Sequence, residues 1–178
     1  MKKLMIASAI AMAMAAGSAM AVTTNMGVQQ NEIQFLGAVT EVTCNIDAVV
    51  DGAVNNVVQL GTVKKGEEGE VKNIVLKAKQ GTTCAGLDTK TATIAFKGPL
   101  GDDGLKNDKG TATGAFVSLI AKNSKTQDLA VNKGQNAIEF TGNLVNTEGY
   151  KFEAKLDATT AAAAGTFDSA LAYAVTYQ

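Results

Sequence analysis

The chain is patterned in twos. From Phe167 on, alternate positions are Phe167, Ser169, Leu171, Tyr173, Val175 and Tyr177, separated by Asp168, Ala170, Ala172, Ala174 and Thr176. Aromatic and branched residues on one parity predict a half-buried β-strand over 165–178. The same period runs through 33–44, I-Q-F-L-G-A-V-T-E-V-T-C, with a change of face expected near Gly37, where a bulge is easy. Tyr150, Phe152, Ala154 and Leu156 alternate with polar residues in a third clear case. Further strands are predicted at 57–63, 71–79, 91–96, 115–122 and 136–144, with a short piece at 128–131. The Thr/Ala-rich stretch 158–164 is too short to hold a helix in water and reads as a loop.

Between these runs stand turn signals: the charged stretch 64–69, the pair Gly98-Pro99 and the glycine-rich loop 101–110. That loop carries Asp102, Asp103 and Asp108, but the spacing does not match a calcium-binding loop, which needs acids at alternate positions and a glutamate at the twelfth. It reads as a solvated turn. Strands at regular spacing without a convincing amphipathic helix predict one all-β sandwich domain over 32–178. The terminal strand is expected to leave its far edge without a later segment to pair it.

Two stretches lie ahead of that domain. Residues 1–21 combine Lys2 and Lys3, an apolar run over 4–16 broken only by Ser8, and Ala19-Met20-Ala21 as a small-x-small cleavage pattern. They read as a secretory signal peptide cut after Ala21; the apolar run falls short of the about 20 residues a membrane span needs. Residues 22–31, V-T-T-N-M-G-V-Q-Q-N, are uncharged and alternate weakly, with Val22, Thr24, Met26 and Val28 on one parity. They bury little alone, since a fully covered Val or Met contributes only about 1.5–3 kcal/mol. A loose tail and a strand that pairs elsewhere are both open on the pattern.

Composition narrows the function. Without Lys2 and Lys3 the chain keeps 14 lysines against 17 acids, a net charge of −3, and has no arginine. A nucleic-acid surface is usually basic and arginine-rich, so none is expected. With no histidine and no tryptophan, the chain builds neither a Ser-His-Asp nor a Cys-His site and lacks the commonest zinc ligand. No enzyme activity, cofactor or metal is expected. The two cysteines, Cys44 and Cys84, are an even pair in an exported chain and read as one disulfide.

Four features together resemble the structural subunits of chaperone–usher fimbriae, the group that includes type 1 and P pili. They are the export signal with its uncharged extension; I-Q-F-L-G-A-V followed by Cys44 and Cys84; V-Q-L-G-T-V at 58–63; and Gly165 fourteen positions from the end with Tyr177 next to last. The resemblance covers the whole chain and looks closest to enterotoxigenic major subunits of the 987P kind. It implies an incomplete immunoglobulin-like sandwich lacking its final strand. A groove beside the strand bearing Gly165, Leu171, Tyr173, Val175 and Tyr177 would be filled first by a periplasmic chaperone. At the outer-membrane usher it would be filled by the 22–31 extension of the next copy, with Val22, Thr24, Met26 and Val28 as donor residues. One departure stands out. Gly27 lies on the parity opposite to Met26 and Val28, whereas relatives carry an inward-facing glycine; either the inward set differs or another small or polar residue such as Gln30 fills that place. The implied role is a major subunit that polymerises into cell-surface fibres for host adhesion, with a tip adhesin and a host receptor as further partners. The alternative is an adhesive minor subunit of the same system.

Overall fold

The computed structural model describes residues 44–178. The signal peptide, the donor residues Val22, Thr24, Met26 and Val28, and the strand predicted over 33–44, apart from Cys44, lie outside the described residues.

The described residues form an all-β, immunoglobulin-like sandwich of antiparallel sheets. One sheet runs β2 (Ala53–Val54), β1 (Ile46–Val50), β3 (Lys72–Ala78), β9 (Tyr150–Ala163), β6 (Thr113–Ala121) and β5 (Leu105–Lys106), with β7 (Leu129–Ala130) also on β6. The other runs β10 (Ala172–Tyr177), β4 (Thr91–Lys97) and β8 (Ala137–Thr141). Alternation decides which side chains enter the core. In β9 Tyr150, Phe152, Ala154 and Leu156 are buried while Lys151, Glu153, Lys155 and Asp157 are not. In β4 Ala92, Ile94 and Phe96 are the buried set. The sheets meet through aromatic rings: Phe140 lies 4.9 Å from Tyr150 and 5.5 Å from Phe152, and Phe96 meets Phe152 edge-on at 5.5 Å. Such tilted and edge contacts are the favoured ring geometry.

Cys44 and Cys84 are bonded, with their Cα atoms 5.3 Å apart. Asn146 grips the buried end of the bridge: its Nδ2 donates to the Cys84 carbonyl at 2.8 Å, and its Oδ1 accepts from the Cys84 amide at 2.8 Å.

Several elements differ from the pattern-based expectation, among them the 101–110 loop, read as a solvated turn, whose Leu105–Lys106 pairs with β6. Residues 158–164 are not a loop, because β9 continues to Ala163 and pairs with the start of β6 across a bulge between Thr113 and Ala115. The stretch predicted as a strand over 136–144 stops at Thr141 and turns into a 3-10 helix, Gly142–Asn146. A Cβ at Gly142 would stand 2.8 Å from the Lys90 carbonyl oxygen, so the chain passes here only as glycine. The hairpin β1–β2 was not expected at all. Its turn is Asp51-Gly52, with φ of 47° and 89°, the two left-handed residues of a tight hairpin turn. Lastly, 57–63 forms no strand despite its alternation.

Candidate functional site

The stretch 57–63 borders a large opening onto the core. A groove of about 1550 Å³ lies between residues 55–65 on one side and 162–173 on the other. Its floor is the apolar face of the larger sheet, including Leu76, Val117, Leu119, Phe152 and Leu156, with Phe96 from the smaller sheet. These residues belong to the buried core cluster, so the groove opens directly onto the core.

Both walls are backbone with few hydrogen-bond partners among the described residues. The first wall is anchored at its ends, where Asn55 N donates to Ala48 O at 3.0 Å and Gly69 N to Leu156 O at 2.7 Å. Between them, no backbone hydrogen bond joins 58–63 to another described residue. That explains the missing strand: the side-chain pattern is present, but nothing among the described residues supplies the ladder. The second wall is similar. β10 pairs with β4 along one edge and with no described strand along the other. Residues 169–171 make no backbone hydrogen bond among the described residues. Among the described residues this is an apolar floor between two backbone edges without strand partners, a space of the kind one further β-strand fills.

The expected groove-strand residues divide along the strand. Leu171 and Tyr173 line the groove, Tyr173 being 38% exposed. Val175 and Tyr177 share their parity but lie off the groove wall. They pair with Ile94 and Ala92 of β4, both fully buried, and there the sandwich closes. Tyr177 is 7% exposed and belongs to the core. Regular strand structure begins only at Ala172, so 165–171 keeps the predicted parity without the predicted pairing. Gly165 stands at the far end of the wall. A Cβ there would lie 2.4 Å from Ala112 N and 2.6 Å from Thr111 Oγ1, which accounts for glycine by close approach of two chains.

Burial raises the tyrosine pKa values throughout the terminal strand. It pushes Tyr173 up, aided by the Asp47 carboxylate, and it pushes Tyr177 up as well. Tyr150 behind them is raised furthest, chiefly by burial and then by the neighbouring Tyr177 hydroxyl. Neutral phenols therefore back this strand. Sequence reasoning missed the contribution of the 158–164 segment, whose Ala158, Ala162 and Ala163 help line the groove. Its signal was the Thr159-Thr160 pair, β-branched residues that favour strands.

No family model matches the chain. Over 179 aligned positions, covering 100% of both chains, it is 38% identical to the F107 fimbrial protein of Escherichia coli. Identity at that level from end to end, on a chain whose sandwich carries an open groove, shows that the chain belongs to the fimbrial protein family.

Proposed function

We propose that this chain is the major structural subunit of a chaperone–usher fimbria, exported through the periplasm and polymerised at the cell surface by donor-strand exchange for adhesion to host cells. The observation that carries the reading is the groove, with its apolar floor and two unpaired walls. Such a slot is an aggregation hazard when left open, and a strand from another chain both caps it and adds backbone hydrogen bonds. In the periplasm a chaperone supplies the strand; at the outer-membrane usher the 22–31 extension of the next copy replaces it. Val22, Thr24, Met26 and Val28 would face inward, the valines and methionine contributing about 1.5–3 kcal/mol each if fully covered. Each copy fills one neighbour and is filled by another. This contact does not close on itself and so propagates a fibre.

The test is Met26→Asp with Val28→Asp. A carboxylate inside the apolar slot lacks partners and is strongly disfavoured. We expect soluble subunit bound to the chaperone and no fibres by electron microscopy. Normal fibres would refute the assignment of the donor strand.

A further inference from the structure

The wall that bears Leu171 is fixed by one side chain at its root. Asn107, in the polar loop before β6, makes four hydrogen bonds. Its Nδ2 donates to Ala112 O at 2.8 Å and to Thr166 O at 3.0 Å. Its Oδ1 accepts from Gly110 N at 3.1 Å and from Asp168 N at 2.9 Å. Asp168 O in turn accepts from Asp108 N at 3.1 Å and Lys109 N at 2.9 Å. Thr111 and Thr166 complete the seam reciprocally: Thr166 N donates to Thr111 Oγ1 at 3.0 Å and Thr111 N to Thr166 Oγ1 at 3.2 Å. The close approach leaves no room for a side chain at Gly110, where a Cβ would stand 2.1 Å from Thr166 O.

This seam holds one end of a wall whose other end is β10. Residues 169–171 between the two have no backbone partner among the described residues. Phe167 and Leu171 are half-buried against the core cluster and border the groove. The hydrophobic effect draws such side chains across an empty groove toward its floor, because closure removes apolar surface from water. We propose that Asn107 is a positioning residue that holds the 165–171 wall off the groove floor, keeping the slot open for an incoming strand. The proposal rests on the strand-addition reading above. It assigns the 101–110 loop a role in assembly kinetics, through preorganisation of the acceptor. Once a strand fills the slot, that strand holds the wall itself. Asn107 thus governs the rate of filling much more than the stability of the filled subunit.

The experiment uses the full mature chain and compares wild type, Asn107→Ala, the isosteric pair Thr111→Val with Thr166→Val, and Asn146→Ala. The last removes a comparable amide clamp at Cys84, away from the groove. Fibre growth is followed by light scattering, and the dissociation temperature of finished fibres is measured in detergent. Asn107→Ala and the double threonine variant are expected to slow growth at least fivefold while leaving the dissociation temperature near that of wild type. Asn146→Ala is expected to grow at the wild-type rate. Equal growth rates for all four overturn the latch and leave strand exchange standing. A fall in dissociation temperature proportional to the slowing overturns it too, since that marks general weakening. A wild-type chain that forms no fibres overturns both the latch and the strand-exchange reading.

Discussion

Two buried tyrosines should respond to loss of their hydroxyls with opposite signs. Tyr150 is fully buried, and its hydroxyl donates to the carbonyl of Gly142 at 2.7 Å. Tyr177 is nearly as buried, but its hydroxyl has no hydrogen-bond partner among the described residues. Tyr150→Phe removes a made bond and leaves a buried carbonyl without that donor, a loss of about 1–3 kcal/mol. Tyr177→Phe removes a polar group whose desolvation nothing offsets. Stability should hold or rise by up to about 1 kcal/mol, since replacing an unpaired buried group by an apolar one of the same shape is neutral to stabilising. Urea unfolding of the disulfide-intact subunit measures both, and the double variant gives the coupling. The two phenols lie close enough for hydrogen bonding between them to bear on both pKa values, although the Tyr150 hydroxyl is directed at the Gly142 carbonyl. If they share a proton instead, Tyr177→Phe will destabilise as much as Tyr150→Phe and the double variant will show strong coupling. That outcome would refute the assignment of Tyr177 as unpaired.

The same residues predict the alkaline limit of the fold. Each of the three tyrosines in the chain, Tyr150, Tyr173 and Tyr177, has its pKa raised from 10.0, chiefly by burial. A group with a raised folded-state pKa contributes stability that is fully present below its unfolded pKa and is lost as pH rises toward the folded value. Stability should therefore fall above about pH 10, where tyrosines ionise in the unfolded chain. With no tryptophan in the chain, near-ultraviolet absorbance reports tyrosinate without interference. Folded protein should show little tyrosinate at about pH 10, then a cooperative rise on unfolding. Full ionisation near that pH with the circular dichroism unchanged would show that these phenols are not buried.

Other predictions follow from the frame around the groove. Replacing Cys44 and Cys84 by alanine opens a loop of sequence separation 40, and the chain-entropy relation puts the loss at about 4 kcal/mol; a change below about 1 kcal/mol in urea unfolding would contradict it. Gly165→Ala drives a Cβ into Ala112 N and Thr111 Oγ1 and should cost about 1–3 kcal/mol. At Gly134 the nearest atom to an added Cβ is Asn132 Oδ1 at 3.4 Å, so Gly134→Ala should melt near wild type; equal melting of the two variants would count against the close approach at Gly165.

How much of this was readable from the sequence depends on what each pattern reports. Alternation reports which side chains face a core. It located the buried face of β9, which is flanked by strands on both sides, and placed β4 and β6 as strands. It gave the parity of the terminal segment, where Phe167, Ser169 and Leu171 are half-buried and Asp168 and Ala170 exposed. It failed where composition outweighs pairing. The alanines of 158–164 carry almost no hydrophobic contrast, so the extension of β9 was invisible until its register with β6 was known. The β1–β2 hairpin was legible and overlooked: Asp-Gly between V-V and A-V is the strongest short hairpin signal.

The stretch 57–63 is a different kind of mismatch. V-V-Q-L-G-T-V has the side chains of a strand, and Leu60 and Val63 both pack against the core although they stand on opposite parities, with Gly61 at a φ of 75° between them. What it lacks is a ladder, and a ladder is a property of two segments. Pattern and structure disagree here at a wall of the groove. The opposite wall, 169–171, departs from the predicted strand in the same way and borders the same groove. Natural sequences are locally consistent except where function demands otherwise. Two strand-patterned segments that both lack a ladder among the described residues face one apolar floor. Two independent loops would have no reason to carry inward-facing Leu60, Val63, Phe167 and Leu171 at all.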